Sequence, residues 1–203
     1  MITKDEFRAR LKSACASVRS VEAELTEIDS HFGDADHGLT MVKIVNAVEK
    51  AADECEGNIQ ELLDDAAMGI MMINGGSAPP LWNTWFDGMQ QGAPAAEEID
   101  VAGLKSVFAK AFEELDDISG AKVGDKTMMD ALVPATEAIA AYEGESEAEL
   151  LNIAAAEAER GAENSRNFVS KFGRAKSYGE KTIGTPDAGA VSMAYFFKGL
   201  AQS

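Results

Sequence analysis

Apolar residues recur along this chain at spacings of three and four, and strict alternation is nowhere sustained. From Thr3 to Ile28, Phe7, Leu11, Ala14, Cys15, Val18, Val21, Leu25 and Ile28 make one stripe, which predicts one long helix. A second helix is predicted from Gly38 to just before Gly57, a third over Ile59–Ile73, and a short fourth over Leu81–Gln91, ended by Gly92. Asp100 is a good N-cap for a fifth, which carries Leu104, Val107, Phe108, Ala111, Phe112 and Leu115. The sixth starts near Thr127 and contains Pro134, which is expected to bend or shorten it. Ser146 and Glu149 form a capping box for an alanine-rich seventh, and the eighth runs from about Asp187 to about Leu200. No strand is predicted. The expectation is an all-α fold, one domain over residues 1–203.

The connections fall into two kinds. Residues 55–58, 92–100 and 143–146 are short and chemically plain, whereas 29–37, 74–80, 118–126 and 170–186 carry glycine and reactive side chains. The two kinds alternate. In an up-and-down antiparallel array, alternate connections lie at the same end. The four rich loops are therefore expected to meet on one rim of an eight-helix bundle and form a composite site there. The many alanines leave open whether side chains or a lipid-like ligand fill the interior.

Composition narrows the partners. The formal charge is -17, with no basic stripe to replace counterions, which excludes nucleic acid and an acidic membrane surface. Hydrophobic residues make up 46%, enough for a sizeable core. Cys15 and Cys55 form no CxxC and read as reduced core thiols. With no apolar run of membrane-spanning length and no signal-like N-terminus, the expected location is the cytoplasm.

Within that acidic chain, "EIDSHFGDADHGLTM" concentrates Asp29, Asp34 and Asp36. Two carboxylates about 6 Å apart repel by roughly 3 kcal/mol at an effective dielectric of about 20. A cation relieves this, and three hard oxygen donors suit magnesium or calcium better than zinc. An EF-hand does not fit, because the twelfth position from Asp34 is Val45. Gly75, Gly76 and Ser77 precede a helix start, where free amides attract phosphate. "GAKVGDKTMMDAL" only looks like a Walker loop: three residues separate Gly120 from Gly124, and Asp125 intervenes before Lys126. The last loop adds Arg174, Lys176 and Lys181, with Asp187 capping the final helix. A carboxylate-bound metal, glycine-rich backbone and an arginine on one rim make the inventory of a magnesium-nucleotide site for phosphoryl transfer.

Four blocks, "IDSHFGDADHGLTM", "GGSAPPLW", "GDKTMMDALVPA" and "GRAKSYGEKTIGTPDAGAVSM", one per rich loop and in order, resemble the nucleotide-binding L subunit of dihydroxyacetone kinases over almost the full length. The resemblance implies an eight-helix antiparallel barrel with nucleotide, ADP or ATP, at one rim. It implies two magnesium ions held by Asp29, Asp34 and Asp36. It implies nucleotide contacts at His37, Gly38, Leu39, Thr40, Ser77, Ala78, Gly120, Met128, Arg174, Asp187 and Gly189, with Arg174 the catalytic candidate. A separate K subunit would hold dihydroxyacetone through a histidine this chain lacks, so this chain alone is not expected to phosphorylate anything.

Three departures from the family pattern stand out. The family usually has Ala-Ser-Gly-Pro where this chain has Ser77-Ala78-Pro79-Pro80; Lys181 replaces a usual arginine, and Ala188 a common proline. The free-standing length favours a system fed by phosphoenolpyruvate, in which ADP stays bound and the phosphocarrier M subunit of the phosphotransferase system rephosphorylates it. The alternatives are an ATP-dependent subunit for a related keto-sugar and a non-catalytic nucleotide-sensing module.

Overall fold

The computed structural model describes residues 1–202. Among the described residues there are nine α-helices: α1 (Lys4–Arg19), α2 (Glu22–Ser30), α3 (His37–Glu54), α4 (Ile59–Met71), α5 (Ala78–Gly92), α6 (Val101–Ser119), α7 (Met129–Ala141), α8 (Glu147–Asn164) and α9 (Ala188–Ala201). Eight of them, all but α2, form a closed ring in which each packs on the next and α9 returns to α1. The predicted barrel is therefore present, with one change. The long first helix is broken at Ser20–Val21, where Val21 leaves helical geometry (φ -113, ψ 18). Ser20 Oγ donates to Ser17 O at 2.7 Å, a local bond that competes with the helix ladder. The apolar stripe runs on because α2 restarts at once, with Leu25 fully buried, and α2 then packs on α3 and α9.

Aromatic rings fill the middle of the ring of helices. Trp82, Trp85 and Phe86 of α5 reach Phe196 of α9, with Trp82–Phe196 and Trp85–Phe196 centroids 5.3 and 5.5 Å apart. A residual cavity of ≈ 10 Å³ beside Phe7, Arg10, Leu11 and Phe108 has room for at most one water. The question of what fills the interior is thus answered by side chains. Pro134 lies inside α7 and removes the N–H that would bond Asp130 O. Gly161 of α8 approaches that carbonyl so closely that a Cβ there would lie 2.0 Å from Asp130 O.

The plain connections gather at one end. Two short strands that the sequence pattern did not predict, β1 (Ile2–Thr3) and β2 (Glu98–Ile99), pair antiparallel there. Ile59 N–H donates to Ala96 O at 3.1 Å, and the Met1 amino group lies 3.1 Å from Glu147. Two-residue strands are too short to show a period. No described helix is long and apolar enough to cross a membrane.

Candidate functional site

The rich loops meet at the opposite end, and specific contacts join them. Arg174 Nη1 lies 2.9 Å from Asp34 Oδ2, and the Phe32 and Tyr178 rings lie 5.2 Å apart, so the first loop meets the last. A Cβ on Gly75 would lie 3.5 Å from Thr40 Cγ2, which places the second loop against the start of α3. Lys171 Nζ pairs with Asp125 Oδ1 at 2.5 Å, and a Cβ on Gly189 would lie 3.3 Å from Met128 N, which joins the third loop to the last.

Asp29 sits in the last turn of α2, and its carboxylate organises the first loop. Asp29 Oδ2 accepts from the N–H groups of Asp36 and His37, at 3.0 and 3.3 Å. Asp36 occupies the N-cap position of α3 but makes no side-chain cap bond. The capping is done instead by the acid of the preceding helix, and the Asp36 carboxyl is left beside Asp34 and Asp29. Ala35 takes a left-handed backbone (φ 59), a conformation sparsely populated for residues with a Cβ. Around this turn, one oxygen from each of Asp29, Asp34 and Asp36 lies within 4.8 Å of the others. A Cβ on Gly33 would fall 1.9 Å from Asp29 Oδ1, so any side chain there would push the Asp29 carboxylate aside.

The electrostatics match a cation site. The Asp36 carboxyl is pushed up, by burial first and then by the charges of Asp34 and Asp29, with Arg174 opposing. Three converging oxygen donors, their charge only partly offset by Arg174, fit a hard divalent ion. The His37 imidazole is held below its usual range by burial. Ser192 Oγ donates to Gly189 O at 2.9 Å, which leaves that oxygen to accept from His37 Nε2–H at 3.1 Å. His37 therefore spans from the aspartates to the start of α9.

The second loop differs from expectation. Helix α5 begins at Ala78, not Leu81, so Pro79 and Pro80 occupy its first turn. Proline has no N–H, and two of the amides a phosphate would use are absent. What remains there is Ser77 and the backbone of Gly75, Gly76, Ser77 and Ala78. Gly120 closes α6 with φ 60, and Leu39 is 54% exposed on the rim. Asp187 caps α9 by accepting from Ala190 N at 2.8 Å, and burial pushes its carboxyl up to about 7. Two features escaped the sequence reading: the Phe32–Tyr178 stack and the His37–Ser192 bond. Each joins residues far apart in sequence, and neither has a local signature.

Comparison with known proteins places this arrangement. Residues 31–202 match the DAK2 domain. The chain is 31% identical to the "PEP-dependent dihydroxyacetone kinase, ADP-binding subunit DhaL" of Escherichia coli K12, covering 92% of this chain and 91% of that one. It is 32% identical to the L-erythrulose kinase of Pectobacterium atrosepticum, of which it spans only 32%. The crystal structure of the C. freundii dihydroxyacetone kinase in complex with AMP-PNP and Mg2+ superposes with a TM-score of 0.71 at 25% identity, covering 97% of this chain and 33% of that one. The fold and the rim define a helical phosphotransferase subunit. The chain belongs to the DAK2 domain family, among the L-type ADP-binding subunits of dihydroxyacetone kinases.

Proposed function

We propose that this protein carries a magnesium-bound adenine nucleotide on its rim and passes a phosphoryl group to dihydroxyacetone held on a separate K subunit. The Asp29, Asp34 and Asp36 oxygens, within 4.8 Å of one another beside Arg174, carry this reading. These three residues would hold magnesium, two ions on the family pattern, which when bound would neutralise phosphate charge. Asp29 fixes the loop through the Asp36 and His37 amides. Arg174, 70% exposed at its side chain, is free to turn from Asp34 towards a transferring phosphoryl group and stabilise charge developing there. His37, Gly38, Leu39, Thr40, Ser77, Ala78, Gly120, Met128, Asp187 and Gly189 line the remaining length of the nucleotide. Exposed Leu39, Val123, Phe172, Tyr178 and Ile183 give a partner apolar surface around the site.

Similarity to ADP-binding subunits named as dependent on phosphoenolpyruvate or the phosphotransferase system supports a phosphocarrier as donor. The chain spans 91% of the E. coli ADP-binding subunit and 98% of its Lactococcus lactis counterpart, the latter named as PTS-dependent. ADP thus serves as a retained cofactor, rephosphorylated in place by a phosphocarrier M subunit. The test is reconstitution with a K subunit and dihydroxyacetone. Product formed from the phosphorylated phosphocarrier but not from ATP supports the relay. Product formed from ATP alone would favour an ATP-dependent subunit, and erythrulose as the better acceptor would follow the 32% identity to the erythrulose kinase.

A further inference from the structure

Lys126 is the residue that gives the third block its likeness to a Walker loop, yet it faces inward. It is 5% exposed and holds a left-handed backbone (φ 61). Its Nζ donates to Ser165 O at 2.6 Å and to Thr185 O. Both acceptors flank the last loop: Ser165 follows α8, and Thr185 lies two residues before Asp187. An ammonium with two carbonyl partners in the interior is oriented towards protein backbone, so it has no path to a phosphate on the rim.

The surrounding bonds extend this strut. Asp130 accepts from Gly124 N at 2.6 Å and Thr127 N at 2.7 Å, which fixes the turn bearing Lys126. Ser165 Oγ accepts from Asp187 N at 2.8 Å, which ties the far end of the strut to the start of α9. Between these anchors lie Met128 and Gly189, close enough that a Cβ on Gly189 would sit 3.3 Å from Met128 N. Across the rim the order is aspartates, His37, Ser192 with Gly189, then Met128. Phosphates lie with the aspartates, so Met128 and Gly189 are left to the nucleoside.

From this geometry we infer that Lys126 is a positioning residue, which sets the Met128–Gly189 wall for the nucleoside end of the nucleotide and does not bind the phosphates. The inference rests on the nucleotide site proposed above. Losing one charge-assisted hydrogen-bond donor is expected to cost about tenfold in affinity.

Magnesium with ADP, and magnesium with inorganic pyrophosphate, are titrated calorimetrically into the wild-type, Lys126→Met and Ser165→Ala proteins, with thermal unfolding recorded for each. Both variants are expected to lose about tenfold in ADP affinity and to keep their pyrophosphate affinity. Equal losses for both ligands would overturn the inference, because the lysine would then act on the phosphates. Unchanged ADP affinity would overturn it by showing the strut idle. Ser165→Ala leaves both backbone acceptors of Lys126 in place and reads only the Ser165–Asp187 tie. If Lys126→Met does not fold, Lys126→Gln, which removes the charge and keeps an N–H donor, therefore decides by the same two readings. Wild-type protein that binds neither ligand would overturn the nucleotide site itself, a pattern distinct from the other outcomes.

Discussion

Arg174 Nη1 stands 2.9 Å from Asp34 Oδ2, so the guanidinium partly neutralises the three-aspartate cluster at the point where phosphate charge must later be met. One cation near the site is thus exposed, while the acids are held by α2 and the turn before α3. Replacing Arg174 with alanine is expected to slow phosphoryl transfer by about 10²-fold, with a much smaller effect on Mg·ADP affinity. Single-turnover transfer measured beside equilibrium binding checks the split. A transfer rate equal to wild type would remove Arg174 from the chemistry.

The aspartates are expected to behave as a unit. Asp34→Asn and Asp36→Asn each remove one negative charge from a cluster whose oxygens lie within 4.8 Å. Magnesium-dependent nucleotide binding is then lost while far-ultraviolet circular dichroism is unchanged. Titration of Mg·ADP into each variant checks this, and wild-type affinity would contradict the metal assignment.

Gly33→Ala tests the same site through the backbone. Its Cβ would fall 1.9 Å from Asp29 Oδ1 and displace the carboxylate that holds the Asp36 and His37 amides. Mg·ADP affinity is expected to fall by tenfold or more, about what one lost charge-assisted contact costs. The unfolding temperature is expected to move little, because the loop lies outside the aromatic core.

Asp187 gives a pH signature. Its carboxyl is pushed up to about 7 by burial, with Asp130 raising it further, while Lys126 and the amides of Ala190 and Gly189 oppose. A raised carboxyl pKa means the folded state holds a proton that the unfolded state releases, so stability falls as pH rises from about 4 to about 7. An asparagine side chain in its place would keep the N-cap and does not titrate. The stability of Asp187→Asn relative to wild type is expected to improve by roughly 3 kcal/mol between pH 4 and pH 8 in nucleotide-free protein, read from denaturant unfolding. His37, held low by burial, contributes with the opposite sign, but it does so in both proteins.

Much of this architecture was legible in the sequence. The eight-helix count and the gathering of four loops on one rim follow from three-and-four periodicity and from alternation of plain and rich connections, whereas the closed ring was what the family resemblance implied. The acidic triad announced itself by charge density alone. The break at Val21 was not legible, because a one-residue interruption leaves the apolar stripe in phase. The early start of α5 was hidden because prolines at 79 and 80 read as a loop, although the first turn of a helix tolerates them. The role of Lys126 was not legible for another reason: spacing excluded a Walker loop but named no partner, and only the fold shows its ammonium turned inward to Ser165 O and Thr185 O.

The most direct measurement is of what the protein carries. The protein is purified without added nucleotide or magnesium, then denatured, and the released nucleotide and metal are quantified. About one ADP per chain, released with magnesium, is the predicted result and the signature of a retained cofactor. Protein that releases no nucleotide, and that then fails to bind Mg·ADP on titration, would contradict the account.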